Sequence, residues 1–211
     1  GPQIVEAELL SVFEAFVGDA EDEVKMGVVT KLADFLAHIG ATCRESYLPV
    51  LSEVISPERS SPMNWRLREA VATQLARLTT LFNAESARDV LVPLTCKLME
   101  DDVAQIRATS LRAIAPLVQR VAEGSPDWVA DFRAKLVAFV SSATFRHRQT
   151  FVFACGIVAG ATEGPSPVLE TLLLEHLVPQ LPRLAQDPVL DVRISLARAL
   201  QQFPAMVLTS E

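Results

Sequence analysis

Apolar residues recur along the chain at steps of three and four, which places them on one face of a helix. No stretch alternates apolar and polar residues for long enough to indicate a strand, so the pattern predicts helices throughout. The apolar stripes come in pairs, one before and one after a short turn. Stripes before a turn are Leu91, Leu94 and Leu98, and Leu177, Leu181 and Leu184; stripes after a turn are Leu67, Val71, Leu75, Leu78 and Phe82, Leu111, Ile114, Val118 and Val121, and Val192, Leu196, Leu200 and Phe203.

A basic residue stands six positions after each of five turn-like residues, where a new helical stripe begins. The turn residues are Asp19, Pro62, Asp101, Ser142 and Asp187, and the basic residues are Lys25, Arg68, Arg107, Arg148 and Arg193. The steps between successive basic residues are 43, 39, 41 and 45. A helix pair of about 40 residues cannot bury both of its stripes alone, so neighbouring pairs must stack. The sequence therefore predicts an all-α, right-handed α-solenoid of about five helix pairs.

The repeat predicts one array over residues 3–211. Its units are expected at about 3–42, 43–83, 84–123, 124–163 and 164–211. Residues 1–2, Gly1-Pro2, resemble the remnant of a cleaved expression tag, and we expect the array to be a fragment of a longer solenoid.

Composition narrows the function classes. The chain has 211 residues and a formal net charge of −7, which disfavours nucleic acid and anionic membranes because both select clustered Lys and Arg. Cys43, Cys96 and Cys155 lie too far apart for a disulfide framework or a metal pair, so we expect free thiols. The sequence has neither a membrane-length apolar run nor a signal-like N-terminus, and we expect a cytoplasmic or nuclear protein.

The sequence carries no motif of a common enzyme class. It has no G-x-S-x-G, P-loop, G-x-G-x-x-G or H-E-x-x-H pattern. His38 and His176 have no second His or Cys at metal-ligand spacing. We therefore expect no enzymatic activity, no metal and no cofactor.

Two units resemble HEAT repeats. The matching residues are Leu91-Val92-Pro93, Asp101 and Ile106-Arg107, and Leu177-Val178-Pro179, Asp187 and Val192-Arg193. In such repeats the turn Asp and the following Arg form a ladder, in which one unit's Arg reaches a neighbouring turn. A carboxylate there satisfies helix N-terminal N–H groups and accepts charge-assisted hydrogen bonds. The resemblance implies this structural role for Asp101, Arg107, Asp187, Arg193 and Arg68.

Two further stretches resemble phosphatase regulatory subunits. Asn64-Trp65-Arg66-Leu67-Arg68-Glu69 is similar to a repeat of the scaffold (A) subunit of protein phosphatase 2A. Phe145-Arg146-His147-Arg148-Gln149-Thr150-Phe151 resembles the C-terminal repeats of that family, and equally the regulatory subunit 1 of protein phosphatase 4. In the scaffold subunit several units separate the two stretches, whereas here they lie two units apart. The resemblance therefore implies a diverged phosphatase regulatory subunit.

Such a subunit would be a noncatalytic scaffold. It would bind a serine/threonine phosphatase catalytic subunit of the 2A/4/6 type and position it for substrates. Solenoids bind through their turns and the adjoining second helices. The candidate partner-binding residues at these places are Trp65, Arg66, Asp102, Phe145, Arg146, His147, Val189 and Asp191. Core packing is the competing interpretation for Trp65 and Phe145.

Two alternatives stay open at this point. One is an adaptor unrelated to phosphatases, which would hold basic cargo on an acidic surface as transport receptors do. The other is a spacer whose parent protein binds through repeats elsewhere. Charge at the turns is mixed, with Glu21 and Asp102 beside Arg66 and Arg146, and this favours the phosphatase interpretation.

Overall fold

The chain is described from a computed structural model, which defines residues 8–54, 64–162, 164, 166–201 and 203. The regular structure in these ranges is all helical, and the helices form five pairs that pack in chain order. The predicted all-α solenoid of about five helix pairs is confirmed. Pro62 and the rest of the turn before Asn64 lie outside the described residues. No helix in the described ranges is both long and apolar enough to span a bilayer.

The first two pairs contain interrupted helices. In the first pair, α1 is Leu10–Val17 and the second helix has two parts, α2 (Asp22–Val29) and α3 (Leu32–Ala37). In the second pair, the first helix consists of α4 (Ala41–Glu45) and α5 (Leu48–Val54), and the second helix is α6 (Trp65–Leu81).

The last three pairs combine α-helix with short π and 3-10 segments. The third pair has α7 (Ala84–Ser86), a π segment (Ala87–Leu91) and α8 (Val92–Met99), then α9 (Ala104–Ser110), a 3-10 turn (Leu111–Ala113) and α10 (Ile114–Ala122). The fourth has α11 (Pro126–Ala138), a 3-10 turn (Phe139–Ser141) and α12 (Phe145–Ala161). The fifth has α13 (Pro167–Thr171), a π segment (Leu172–Leu177), a 3-10 turn (Val178–Gln180) and α14 (Leu181–Ala185), then α15 (Leu190–Leu200).

The predicted apolar stripes form the core. Every stripe residue named above is buried except Leu200, which is 37% exposed. Leu75, Ile114 and Cys155 occupy the place of Leu200 in earlier pairs, seven positions after the basic residue, and all three are buried. Leu200 belongs to the last helix pair that the structure describes, so no described pair covers it.

Side chains at the turns fix where several helices begin. Asn64 accepts a hydrogen bond from the Leu67 N–H at the start of α6, a typical N-cap. Ser125 accepts the N–H of Asp127 and is followed by Pro126 at the first position of α11. A proline there has the right φ for a helix and lacks only an N–H that would be unpaired.

Both π segments end directly before a Val-Pro pair. Ala87–Leu91 precedes Val92-Pro93, and Leu172–Leu177 precedes Val178-Pro179. Proline has no N–H and its ring crowds the preceding turn, so the regular hydrogen-bond pattern cannot continue through it. The repeated prolines thus account for irregular first helices at matching places in two pairs.

A buried glutamine links the first two pairs. Gln74 Oε1 accepts the Ala33 N–H at 3.2 Å, and Gln74 Nε2 donates to the Thr30 carbonyl at 3.0 Å. These backbone groups lie at the break between α2 and α3. The amide therefore satisfies polar groups that the broken helix leaves unpaired.

Candidate functional site

Buried arginine–aspartate pairs join the turns of neighbouring helix pairs. Arg68 Nε and Nη2 donate to Asp101 Oδ2 and Oδ1 at 2.6 and 3.2 Å. Arg148 makes the same two bonds to Asp187 at 2.6 and 3.0 Å. The two aspartate side chains are only 9% and 3% exposed. Each also accepts, at 2.9 Å, the backbone N–H two residues further on. Each aspartate thus holds its own turn and the neighbouring pair.

Contacts between Arg148 and Asp187 favour the charged form of both side chains. The hydrogen bond from Arg148 lowers the pKa of Asp187, and the backbone N–H of Val189 lowers it further, although burial acts to raise it. Asp187 in turn raises the pKa of Arg148. The main-chain oxygen of Asp187 accepts from Arg193 Nη1, so Arg193 braces its own turn.

Arg107, also predicted for the ladder, bonds to its own turn. Its Nη1 donates to the carbonyl oxygens of Asp101 and Asp102 at 2.7 and 2.9 Å. Among the described residues it has no carboxylate partner, because Ser142 stands at the turn position that Asp101 and Asp187 occupy in the third and fifth pairs. Arg107 is 8% exposed, and its burial, with nearby Arg146, lowers its pKa.

The turn of the fourth pair has weaker contacts in place of the buried ion pair. Ser142 Oγ accepts the Thr144 N–H at 3.2 Å and lies 3.1 Å from His147 Nδ1. Arg146 Nη1 donates to Asp102 Oδ1 at 3.2 Å, and both of these side chains are exposed. An exposed pair contributes about 0–1 kcal/mol. The junction between the third and fourth pairs is therefore less strongly tied than its neighbours.

A carboxylate at position 142 should complete the ladder. We expect Ser142→Asp to raise the free energy of unfolding by about 1 kcal/mol, because it would accept from Arg107 as Asp101 accepts from Arg68. Ser141→Asp adds the same charge one residue away and should change stability by less than about 0.5 kcal/mol. Urea unfolding followed by circular dichroism measures both variants. An unchanged or reduced stability for Ser142→Asp would contradict the ladder.

The predicted partner-binding residues fall into two groups. Exposed side chains are those of Arg66, Asp102, Arg146 and Asp191. Partly buried side chains are those of Trp65, Phe145, His147 and Val189.

The partly buried group has structural contacts. Trp65, Phe145 and Val189 pack against the core. The ring of His147 stacks on that of Phe139 with centroids 5.3 Å apart. These side chains therefore position the turns, and the exposed group provides most of the accessible surface.

Exposed residues form rows that repeat from pair to pair. We define the turn row as the residues two positions before each basic residue. They are all exposed: Glu23, Arg66, Gln105, Arg146 and Asp191. We define the helix row as the residues five positions after each basic residue. They are also all exposed: Thr30, Thr73, Arg112, Phe153 and Arg198. Seven residues are about two helical turns, so both rows lie on one face of the second helices. Arg66, Arg146 and Asp191 of the turn row were predicted from sequence, whereas the helix row was not.

Burial disfavours ionisation of two cysteine thiols, those of Cys96 and Cys155. Burial raises the pKa of the Cys96 thiol to about 11, and it also raises that of Cys155. Both are therefore protonated at neutral pH, and the protonated thiol is a poor nucleophile. No group of three or more His, Cys, Asp or Glu within the described ranges could hold a metal ion.

Stacked helix pairs joined by ladder contacts define the chain as an α-solenoid repeat protein. A designed armadillo repeat protein, solved in complex with the peptide (KR)4, has the same kind of fold. The TM-score is 0.50 at 18% identity, and the match covers 96% of this chain and 84% of the designed one. No protein-family model matches the chain.

In sequence, the chain is homologous to a segment of serine/threonine-protein phosphatase 4 regulatory subunit 1. It is 33% identical over 204 residues to the proteins of Homo sapiens and Mus musculus, and 32% identical to that of Rattus norvegicus. The match covers 96% of this chain, which spans about a fifth of the length of these relatives (21%). The predicted resemblance to this phosphatase subunit is confirmed. Regulatory relatives and a repeat fold also support the prediction that the chain is not an enzyme.

Proposed function

We propose that the chain is a noncatalytic scaffold module that binds a serine/threonine phosphatase catalytic subunit of the 2A/4/6 type and positions it for substrates. The observation that carries this proposal is the 33% identity to protein phosphatase 4 regulatory subunit 1 over nearly the whole chain. A scaffold acts by holding enzyme and substrate together, which raises their effective concentration. We propose that it acts in the cytoplasm or nucleus.

The turn row is the proposed docking surface. Exposed Arg66 and Arg146 alternate with uncharged Gln105 and acidic Asp191 along successive pairs. Such a fixed order of charges selects the orientation of a partner as well as its identity. The guanidinium of Arg66 lies 4.8 Å from the ring centroid of Trp65. This cation–π contact stabilises the position of the arginine. Buried ion pairs fix the second turn relative to the third, and the fourth relative to the fifth.

Reversing charges in the turn row tests this surface. The double variant Arg66→Glu with Arg146→Glu should recover about tenfold less catalytic subunit than the unmodified chain, because two exposed contacts become repulsive. Lys97→Glu with Lys135→Glu makes the same charge change on exposed residues of first helices and should recover normal amounts. The measurement is a pulldown from cell lysate in which 2A-, 4- and 6-type catalytic subunits are quantified by mass spectrometry. Equal recovery by both double variants, or none by the unmodified chain, would contradict the proposal.

Charge on the second helices disfavours the transport-receptor alternative. The ten residues of the turn and helix rows include four arginines and two carboxylates, although the whole chain carries −7. A surface that holds basic cargo needs the opposite balance.

A further inference from the structure

Large apolar side chains are exposed on the second helices of the last two pairs. Phe153 of α12 is 41% exposed, and Ile157, one turn further on, is 36% exposed. Ile194 of α15 is 37% exposed. The two helices pack along each other, and Gln149 donates to Ser195 Oγ at 2.9 Å, which places Ile194 near Gln149, one helical turn before Phe153. We refer to Phe153, Ile157 and Ile194 as the apolar patch.

The solenoid does not require apolar residues at these places. Phe153 is the apolar member of the helix row, whose other residues are threonines and arginines. A single exposed apolar side chain is ordinary in a soluble protein. Three on adjoining helices, bordered by polar residues, are typical of a binding surface.

Arginines flank Phe153 on both neighbouring second helices. The repeat places Arg112 on the preceding second helix and Arg198 on the following one, both level with Phe153. Both are exposed, and neither has an ion-pair partner in the part of the chain that the structure describes. Arg146 lies two turns before Phe153, while Asp191 is the exposed carboxylate at the turn end of α15. The surroundings of the patch are therefore predominantly positive.

We propose that the apolar patch, with Arg112 and Arg198, binds an extended segment of a partner protein in which large apolar residues are flanked by aspartate or glutamate. The apolar side chains would cover the patch, and the carboxylates would pair with the two arginines. Three second helices about 9 Å apart span about 18 Å. An extended chain covers this distance with about six residues. This partner is additional to the catalytic subunit, because Arg112, Phe153 and Arg198 belong to the helix row and not to the turn row.

Selection of random peptides on the intact chain tests this proposal. A phage-displayed library is panned on the unmodified chain, with counter-selection on the strip variant Arg112→Glu, Phe153→Ser and Arg198→Glu. We expect enriched peptides to carry an aromatic or aliphatic residue next to Asp or Glu. Fluorescence anisotropy with synthetic copies should show at least tenfold weaker binding to the strip variant. Binding should also weaken as salt rises, because salt screens exposed charges.

A matched control makes equivalent changes away from the apolar patch and its two arginines. Lys97→Glu, Leu174→Ser and Lys135→Glu replace two exposed cations and one exposed leucine on first helices. This variant should bind the selected peptides as the unmodified chain does. Circular dichroism and thermal unfolding should show that both triple variants remain folded, since all six positions are exposed.

Several results would overturn the proposal. They are enriched peptides without acidic residues, no enrichment over the strip variant, and equal binding by the two triple variants. A dimer of the unmodified chain that the strip variant does not form, detected by sedimentation, would show that a second copy covers the patch. Binding of a fluorescent single-stranded RNA that is lost in the strip variant would assign the surface to nucleic acid instead.

Discussion

Phe151→Ala should lower the free energy of unfolding by about 4 kcal/mol, the largest effect expected for a single core substitution here. Phe151 of α12 has no exposed surface. The substitution removes most of an aromatic side chain from a helix that packs against both the third and the fifth pair. Close-packed neighbours relax only partly around such a loss, so a cavity remains.

Phe153→Ala is the matched control for this prediction. It makes the same change two residues later on α12, where the side chain is 41% exposed, and should cost less than about 1 kcal/mol. Urea denaturation measures both variants. Because α12 packs along α15, whereas α6 packs against the first and third pairs, hydrogen exchange should accelerate more in α12 and α15 than in α6. Similar losses for the two variants would show that the burial pattern is wrong.

Asp187→Ala should lower the free energy of unfolding by about 3 kcal/mol, because it leaves the buried guanidinium of Arg148 without its counter-charge. Asp191→Ala removes an exposed carboxylate from the same repeat and should change stability by less than about 0.5 kcal/mol. Adding Arg148→Met to Asp187→Ala should restore part of the loss, since the unpaired charge is then also removed. A double variant whose loss equals the sum of the two single losses would contradict a direct pair.

The same pair predicts a pH dependence of stability. The pKa of Asp187 is lower in the folded chain than its ordinary value of about 3.9. Its stabilising effect is therefore fully present above about pH 4 and is lost as the pH falls through the folded pKa. The difference in unfolding free energy between the unmodified chain and Asp187→Ala should shrink on acidification below about pH 4. A difference that stays constant down to the acid limit of the fold would exclude this role.

The five helix pairs could be predicted from sequence because each stacked pair carries the same residue pattern. Each stack places a basic residue at the same point of a new second helix, and Arg68, Arg107 and Arg148 appear there at nearly constant spacing. The buried stripes follow from the helical period alone. Gln74 could not be predicted, because its role depends on a helix break in the preceding pair, and no local pattern marks that contact.

The candidate site was less predictable, because each side chain depends on a neighbouring repeat. The local sequence around Arg107 predicts a ladder residue. Arg107 lacks a carboxylate partner because the next turn has Ser142 where an aspartate is needed. His147 belongs to a basic cluster in sequence, yet its ring packs on Phe139 in the preceding helix. The helix row could have been found by comparing the fifth position after each basic residue, where Phe153 differs from the polar residues of the other pairs.

Calorimetric titration of the chain with the purified catalytic subunit of protein phosphatase 4 tests the scaffold function most directly. We expect saturable binding of one catalytic subunit per chain with a Kd of about 1 μM or below, which corresponds to roughly 8 kcal/mol of binding free energy. Arg66→Glu with Arg146→Glu should weaken this binding about tenfold, or about 1.4 kcal/mol. No binding under conditions in which the full-length regulatory subunit 1 binds the same catalytic subunit would contradict the scaffold function.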